Sequence, residues 1–464
     1  MKGPVVSQAE THFQLGKAWK LRGDSRRALT DFQKALQIDP AFVEAHVKLA
    51  DLLLEMGEVR RAFVHYDKAI ELGPDHPGLE FRRAYLERMV NSSPVEARDV
   101  GNDPGLKDNP DGKIRLGGQK RFNCHRGGWN LALQSLEPLH NSQSGVLFDA
   151  FVEDNFAWKH WREGVRAPDV LKRLMYEGCF EELATSEEKG ITPYTEPWVG
   201  FVHNPHNMPH WFHYQESPQT IFSKEIWKRS LEWCKGLFCL SHYQAEWLRS
   251  ETRKPVSVLT HPAEIPDRQF DFDRFLVNQN KKVVQIGWWL RKLSAIYLLP
   301  LSEENPLNYR KVRLVPHFFG DADRYLNELM SREQDVSRIE LIPEYAANTE
   351  DVQHLSDSDY DQLLQENVVF VELYDSGANN TVVECIARAT PLLVNPLPAV
   401  VEYLGEDYPM YFTTLAEAAE KVFNCDLIHE THIYLRECET RRRLDPAYFR
   451  SSFEASEVYQ SLEV

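Results

Sequence analysis

Between Asn367 and Leu404 the chain reads NVVFVELYDSGANNTVVECIARATPLLVNPLPAVVEYL. Its chemistry-bearing groups are Asp375, a run of small or amide-bearing residues from Ser376 to Asn380, then Thr381 and Glu384. The hydrophobic pattern predicts a strand over Val368–Leu373, a polar loop over Asp375–Thr381, a helix carrying Glu384, a second strand over Pro391–Val394 and a Pro-rich turn. A strand that feeds a loop into a helix N-terminus suits an anion, because free N–H groups and the helix dipole face one point. Gly377, Ala378, Asn379 and Asn380 let a phosphate approach that backbone closely. Glu384 lies one turn into the helix, where a carboxylate can accept hydrogen bonds from a ribose diol. The combination suggests a nucleotide diphosphate held at a strand–helix junction. Without a ligand it is an ordinary βαβ unit with solvated carboxylates.

Those groups need a sheet behind them. Lys281–Leu290 (KKVVQIGWWL) reads as a buried strand ending at Gly287, followed by Arg291 and Lys292. Lys311–Pro316 and Ile339–Ile342 read as further short strands. Upstream, Gly145–Phe148, Trp198–His203, Gly236–Ser241 and Val256–Leu259 are apolar runs alternating with the helical patterns Leu131–Leu136 and HYQAEWLRS. Such alternation predicts α/β domains with largely parallel sheets. Ligands of open α/β sheets sit beyond the carboxyl ends of the strands. His203 lies at such an end, followed by Asn204, His206, His210 and Trp211.

These motifs resemble the GT-B glycosyltransferases, two-Rossmann enzymes that use nucleotide sugars, and in particular their retaining, family 4-like (group 1) branch. Asp375 and Glu384 resemble that branch's acidic pair, one residue further apart than in the family, and Ala389–Leu393 resembles the strand entry after it. The resemblance implies that Gly287, Arg291, Lys292, Asn379, Asn380, Thr381 and Glu384 bind the donor. It implies that His203 and Asp375 face the reacting centre, and that Gly127, Gly128, Asn204 and His206 lie on the acceptor side. Trp288 and Trp289 are bulkier than the family's usual residues there. The implied reaction is retaining glycosyl transfer without a cofactor or metal. Asp321-Ala322-Asp323 and Ser356–Asp359 read as helix caps rather than metal ligands. The competing reading is a non-catalytic interaction scaffold on a degenerate GT-B unit.

The first eighty residues repeat with a period of 34: Leu15, Gly16, Trp19, Gly23, Ala28, Phe32, Ala35 and Pro40 return as Leu49, Ala50, Leu53, Gly57, Ala62, Tyr66, Ala69 and Pro74. This is the tetratricopeptide pattern of paired helices, with Leu79–Met89 as a capping helix. It implies a groove for a protein or peptide partner, or a spacer or dimerisation element. The expected organisation is all-α repeats over 1–90, a linker over 91–119, an acceptor domain over 120–265, a donor domain over 281–430 and terminal helices over 431–464. A net charge of −17 argues against nucleic acid as the main partner. The seven cysteines form no CxxC spacing, so neither a disulfide framework nor a zinc site is suggested. No apolar run reaches a bilayer-spanning length and no signal peptide or lipidation pattern is seen, so a cytoplasmic protein is expected.

Overall fold

The computed structural model describes residues 8–21, 25–55, 59–73, 106–116, 128–158, 193–315, 322–353 and 355–463. The chain divides into two compact units: residues 1–98 with 160–189, and residues 99–159 with 190–464.

The first unit holds helices α1 (Gln8–Leu21), α2 (Ser25–Ile38), α3 (Val43–Glu55) and α4 (Val59–Leu72). Phe32, Ala35, Leu49, Ala50, Leu53, Tyr66 and Ala69, all positions of the repeat, are buried in one core. Leu15 and Pro40 are exposed and Trp19 is partly buried. Tyr66 donates its hydroxyl hydrogen bond to the buried Asp51. Gly23, Gly57, Pro74 and the capping segment Leu79–Met89 lie outside the described residues.

Among the described residues the second unit is built on two five-stranded sheets, every pairing parallel. The first runs in sequence order: β1 (Ile114–Arg115), β2 (Val146–Asp149), β3 (Trp198–Phe201), β4 (Cys234–Cys239) and β5 (Val256–Val258). The second comprises β6 (Lys282–Gln285), β7 (Arg310–Val315), β8 (Thr349–Gln353), β9 (Val368–Val371) and β10 (Leu392–Val394), in the order β10-β9-β6-β7-β8. β2, β3 and β9 are buried along their whole length, as expected of parallel strands covered on both faces.

The helices of this unit include α5 (Trp129–Leu136), α6 (His242–Thr252), α7 (Ala322–Ser337), α8 (Asp357–Gln365), α9 (Asn380–Arg388), α10 (Pro398–Leu404) and α11 (Pro446–Ala455). Ser356 caps α8 by accepting from the Asp359 N–H, as its sequence suggests, while Asp321 lies outside the described residues.

Two expectations are corrected. Ile114–Arg115, placed in the linker, is a strand paired with Val146–Leu147; two residues are too few to show a period. Ile339–Ile342 is not a strand, because Pro343 at the first position of a short helix ends the extended run. The edge strand is instead Thr349–Gln353, whose Glu350 and Asp351 conceal it from a hydrophobicity reading.

The chain returns to its first sheet at the end. Phe449 and Phe453 of α11 are fully buried in the first sheet's core, with Phe453 stacked on Phe238 at 4.6 Å and edge-on to Phe148 at 5.8 Å. The outgoing and returning segments touch where the Ala263 N–H donates to the Leu444 carbonyl at 3.0 Å.

Candidate active site

In the second sheet β6 is flanked by β9 on one side and β7 on the other, so chain progression reverses between β6 and β9. That reversal opens a crevice beyond the strands' carboxyl ends, and the loops leaving both strands meet there. The Lys292 N–H donates to the Glu372 carbonyl (2.7 Å), the Tyr374 N–H to the Leu290 carbonyl (3.0 Å), and Arg291 bridges Leu373.

Arg291 lies beneath these loops. Its guanidinium donates to the Ile286 carbonyl (3.3 Å), the Trp289 carbonyl (2.6 Å), Asn379 Oδ1 (3.1 Å) and Thr381 Oγ1 (2.8 Å). Burial lowers its pKa to about 10. Gly287, at φ 77°, turns tightly over that guanidinium. Asn379 is the N-cap of α9 and accepts from the Thr381 and Val382 N–H groups. Arg291, Asn379 and Thr381 therefore hold the junction's shape through contacts within the chain. Of the expected donor-binding residues here, Asn380 is exposed at the first turn of α9. Lys292 is partly exposed, 2.6 Å from Glu372 Oε1 and over the Tyr374 ring.

The loop after β9 also meets the first sheet. Asp375, 4% exposed, accepts from the Asn207 N–H (3.0 Å), the Tyr243 hydroxyl (3.3 Å) and the Ser376 N–H (2.8 Å). Burial raises its carboxyl pKa, against the pull of those donors. Gly377 is pressed on the opposite loop: a side-chain carbon there would sit 2.8 Å from the His203 carbonyl oxygen and nearer still to Gln244 Oε1. Gln244 Oε1 and Ser376 Oγ are buried without a hydrogen-bond partner among the described residues. Glu402 of α10 receives the His242 and Tyr243 N–H groups at 2.6 and 2.7 Å, capping α6 from the other sheet. Tyr403 donates to the Leu240 carbonyl and accepts from the His261 N–H. Trp288 and Trp289 pack against Phe212 and His213 of the loop after β3.

The histidines divide. His203 Nε2 donates to the Ala150 carbonyl at 2.7 Å, and its ring stacks on Phe151 and meets the edge of Trp129. His206 stacks on Trp247 beside Tyr243, and burial lowers its pKa while Asp375 opposes the shift. Asn204 spans the seam, accepting from Trp289 Nε1 (3.1 Å) and donating to the Glu216 carbonyl (3.0 Å). Gly128 precedes α5 at φ 85°; Gly127 lies outside the described residues.

Glu384 is held by partners within its own domain. It accepts from Tyr360 of α8 (2.7 Å) and from Arg388 Nε (3.1 Å), and its side chain is 31% exposed. Arg388 in turn pairs with Asp361 at 2.9 Å. A cavity of about 1040 Å³ borders this network, between 263–268, the start of α8 and 441–446, and contains none of the expected site residues.

Several seam residues escape sequence reasoning. Gln244, Tyr243 and Glu402 sit within ordinary amphipathic helices, and their partners come from distant segments: the loop after β3 for Gln244, Asp375 for the Tyr243 hydroxyl, and the start of α6 for Glu402. His261 had one signal: like His203, it follows a strand and precedes a proline-bearing turn. Among the described residues no group of three or more His, Cys, Asp or Glu side chains converges as for a metal, and no helix is long and apolar enough to cross a membrane.

The architecture is thus GT-B: two parallel α/β sheets whose strand-end loops meet, in a chain that also carries helical repeats. Residues 21–80 match the tetratricopeptide repeat family. No curated protein matches the chain. Among solved structures, a Thermobaculum terrenum O-GlcNAc transferase mutant is similar at 14% identity over 97% of this chain and 89% of its own, with a TM-score of 0.39. A UDP-forming α,α-trehalose-phosphate synthase from Burkholderia vietnamiensis is 12% identical over 67% and 85%, with a TM-score of 0.39. A Staphylococcus aureus TarM mutant, in complex with fondaparinux, α-GlcNAc-glycerol and UDP, is 12% identical over 60% and 53%, with a TM-score of 0.40.

Proposed function

We propose that the chain is a metal-independent glycosyltransferase that moves a sugar from a nucleotide-sugar donor to a glycan or protein acceptor, with retention of configuration. The observation that carries this reading is the meeting of two sets of strand-end loops over Asp375 and the start of α9, at the reversal point of a parallel sheet. In this reading the diphosphate lies at the start of α9, within reach of Asn380 and Lys292. Arg291, Gly287, Asn379 and Thr381 hold that loop in shape. Glu384, oriented by Tyr360 and Arg388, takes the ribose. The sugar's C1–O bond to the diphosphate breaks, and the diphosphate leaves with the electron pair. An acceptor oxygen bonds to C1, and its proton passes to an oxygen of the departing diphosphate. The growing charge on the leaving group meets fixed dipoles and the Lys292 ammonium, the arrangement that lowers such barriers most. Asp375 faces hydroxyls of the transferred sugar and His203 the reacting centre, with Asn204, His206 and the Gly127–Gly128 turn on the acceptor side. The repeats dock a protein, either the acceptor or a partner.

The test is turnover of a panel of nucleotide sugars by the full chain, read as nucleoside diphosphate release. Glu384→Ala is expected to weaken donor affinity by about tenfold or more, the equivalent of one or two lost hydrogen bonds. Unchanged affinity and rate in that variant remove the ribose assignment.

One set of observations favours a second reading, a non-catalytic tetratricopeptide scaffold. Gly377 closes on Gln244 and His203, and Lys292 is ion-paired within the chain. Calorimetry with uridine and guanosine diphosphates separates the two, since binding of neither supports the scaffold.

A further inference from the structure

His261 follows β5 and is almost wholly enclosed, at 2% exposure. Its Nδ1 lies 2.9 Å from the Pro262 carbonyl, which can only accept, so Nδ1 carries the hydrogen. The neutral ring therefore presents a lone pair at Nε2. Burial lowers the pKa to about 4, which keeps the ring neutral near pH 7. Nε2 has no hydrogen-bond partner among the described residues. A buried acceptor left without a donor is unfavourable, so its retention in a native fold calls for an explanation.

The direction in which Nε2 points supplies one. Gly128 stands at the N-cap of α5, and no side chain caps that helix. Where a side-chain carbon of Gly128 would lie, the neighbouring atoms within 4 Å among the described residues are His261 Cε1 at 3.5 Å and Nε2 at 3.9 Å. The uncapped start of α5 thus lies against the edge of a ring whose acceptor nitrogen has a fixed tautomer. Trp129 adds an aromatic edge, its ring centroid 5.6 Å from that of His261. Ala378, from the loop that opens α9, packs against the same core as Trp129, which puts the place at the seam of the two sheets.

A ligand that satisfies both groups must donate to Nε2 and accept from backbone N–H groups. An anion such as phosphate fills the second role and, fully ionised, fails the first. A neutral hydroxyl fills both with one oxygen. We propose that His261 is a substrate-contact residue that accepts a hydrogen bond from a carbohydrate hydroxyl held at the start of α5. The proposal rests on the glycosyltransferase reading and adds to it a residue and a subsite.

The experiment uses the full chain as wild type, His261→Phe and His261→Gln. Phe keeps the ring's size and removes the acceptor; Gln places an amide oxygen near the former Nε2. Uridine and guanosine diphosphate affinities should change less than twofold in both variants. For the nucleotide sugar that wild type turns over, kcat/KM should fall by about tenfold in His261→Phe, the scale of one lost hydrogen bond, and be partly restored in His261→Gln. Loss in both donor hydrolysis and transfer assigns the hydroxyl to the donor sugar; loss in transfer alone assigns it to the acceptor. A matched deoxy substrate should lower wild-type kcat/KM by a similar factor and leave His261→Phe indifferent. If His261→Phe fails to fold, wild-type insensitivity to every deoxy substrate overturns the proposal. Turnover by His261→Phe within twofold of wild type overturns it while leaving the glycosyltransferase reading intact. Failure of wild type to bind or turn over any nucleotide sugar removes that reading and the proposal with it.

Discussion

Gly377→Ala tests the seam. The added methyl would lie 2.8 Å from the His203 carbonyl oxygen, 3.2 Å from Gln244 Cδ and nearer still to Gln244 Oε1. Neither neighbour moves freely. The carbonyl belongs to the backbone after β3, and the Gln244 amide is anchored by donating to the Asn204 carbonyl at 2.7 Å and the Val202 carbonyl at 3.3 Å. The loop must therefore lift, stretching the bonds that Asp375 accepts from Asn207 and Tyr243. Overpacking of this kind costs about 2 kcal/mol, which lowers Tm by about 3 °C for a unit of this size. Thermal unfolding of the full chain measures it. Gln244→Ala removes the closest clash and leaves the carbonyl, so the double variant should recover about half of the loss beyond simple additivity. A Gly377→Ala melt within 1 °C of wild type, or a double variant with no such recovery, refutes the claim that this glycine exists for close approach of the two loops.

Two further outcomes follow from the same geometry. Arg291→Ala should destabilise the protein by about 3 kcal/mol, because four acceptors lose a charged donor, two of them side chains that shape α9; denaturant unfolding checks it, and weakened nucleotide binding without lost stability would make Arg291 a ligand contact instead. Stability should fall as pH drops from about 6.5 towards 4, since the unfolded chain takes up a proton that the buried His261 refuses until about pH 4. Its share is about 3 kcal/mol, His206 adds in the same direction and Asp375 opposes it; His261→Phe should flatten the profile in urea melts at stepped pH, and an unaltered slope would show that His261 titrates normally.

Much of the frame was legible because burial leaves a mark on composition. Val368–Val371 and Leu392–Val394 are apolar throughout, as strands covered on both faces must be, and the 34-residue spacing announces paired helices. β8 was not legible, since an edge strand tolerates Glu350 and Asp351. At the site, residue types were readable and partners were not. Arg291 looked like a phosphate clamp because an Arg after a strand-ending glycine commonly is one; its burial and its bonds to Asn379 and Thr381 depend on the register of β6 against β9. Glu402 gains meaning only when α6 and α10, about 150 residues apart in the chain, are brought together, and Gln244 only when α6 meets the loop after β3.

The return of α11 to the first sheet has a mechanical consequence. The second sheet is an insertion tethered by two crossings, and the bond from Ala263 to Leu444 holds those crossings side by side. A single tether would let the halves swivel in any direction. A paired one restricts the halves as a door hinge does, so any parting of Asp375 from Asn207 would follow one axis and would return the same loops to the same alignment.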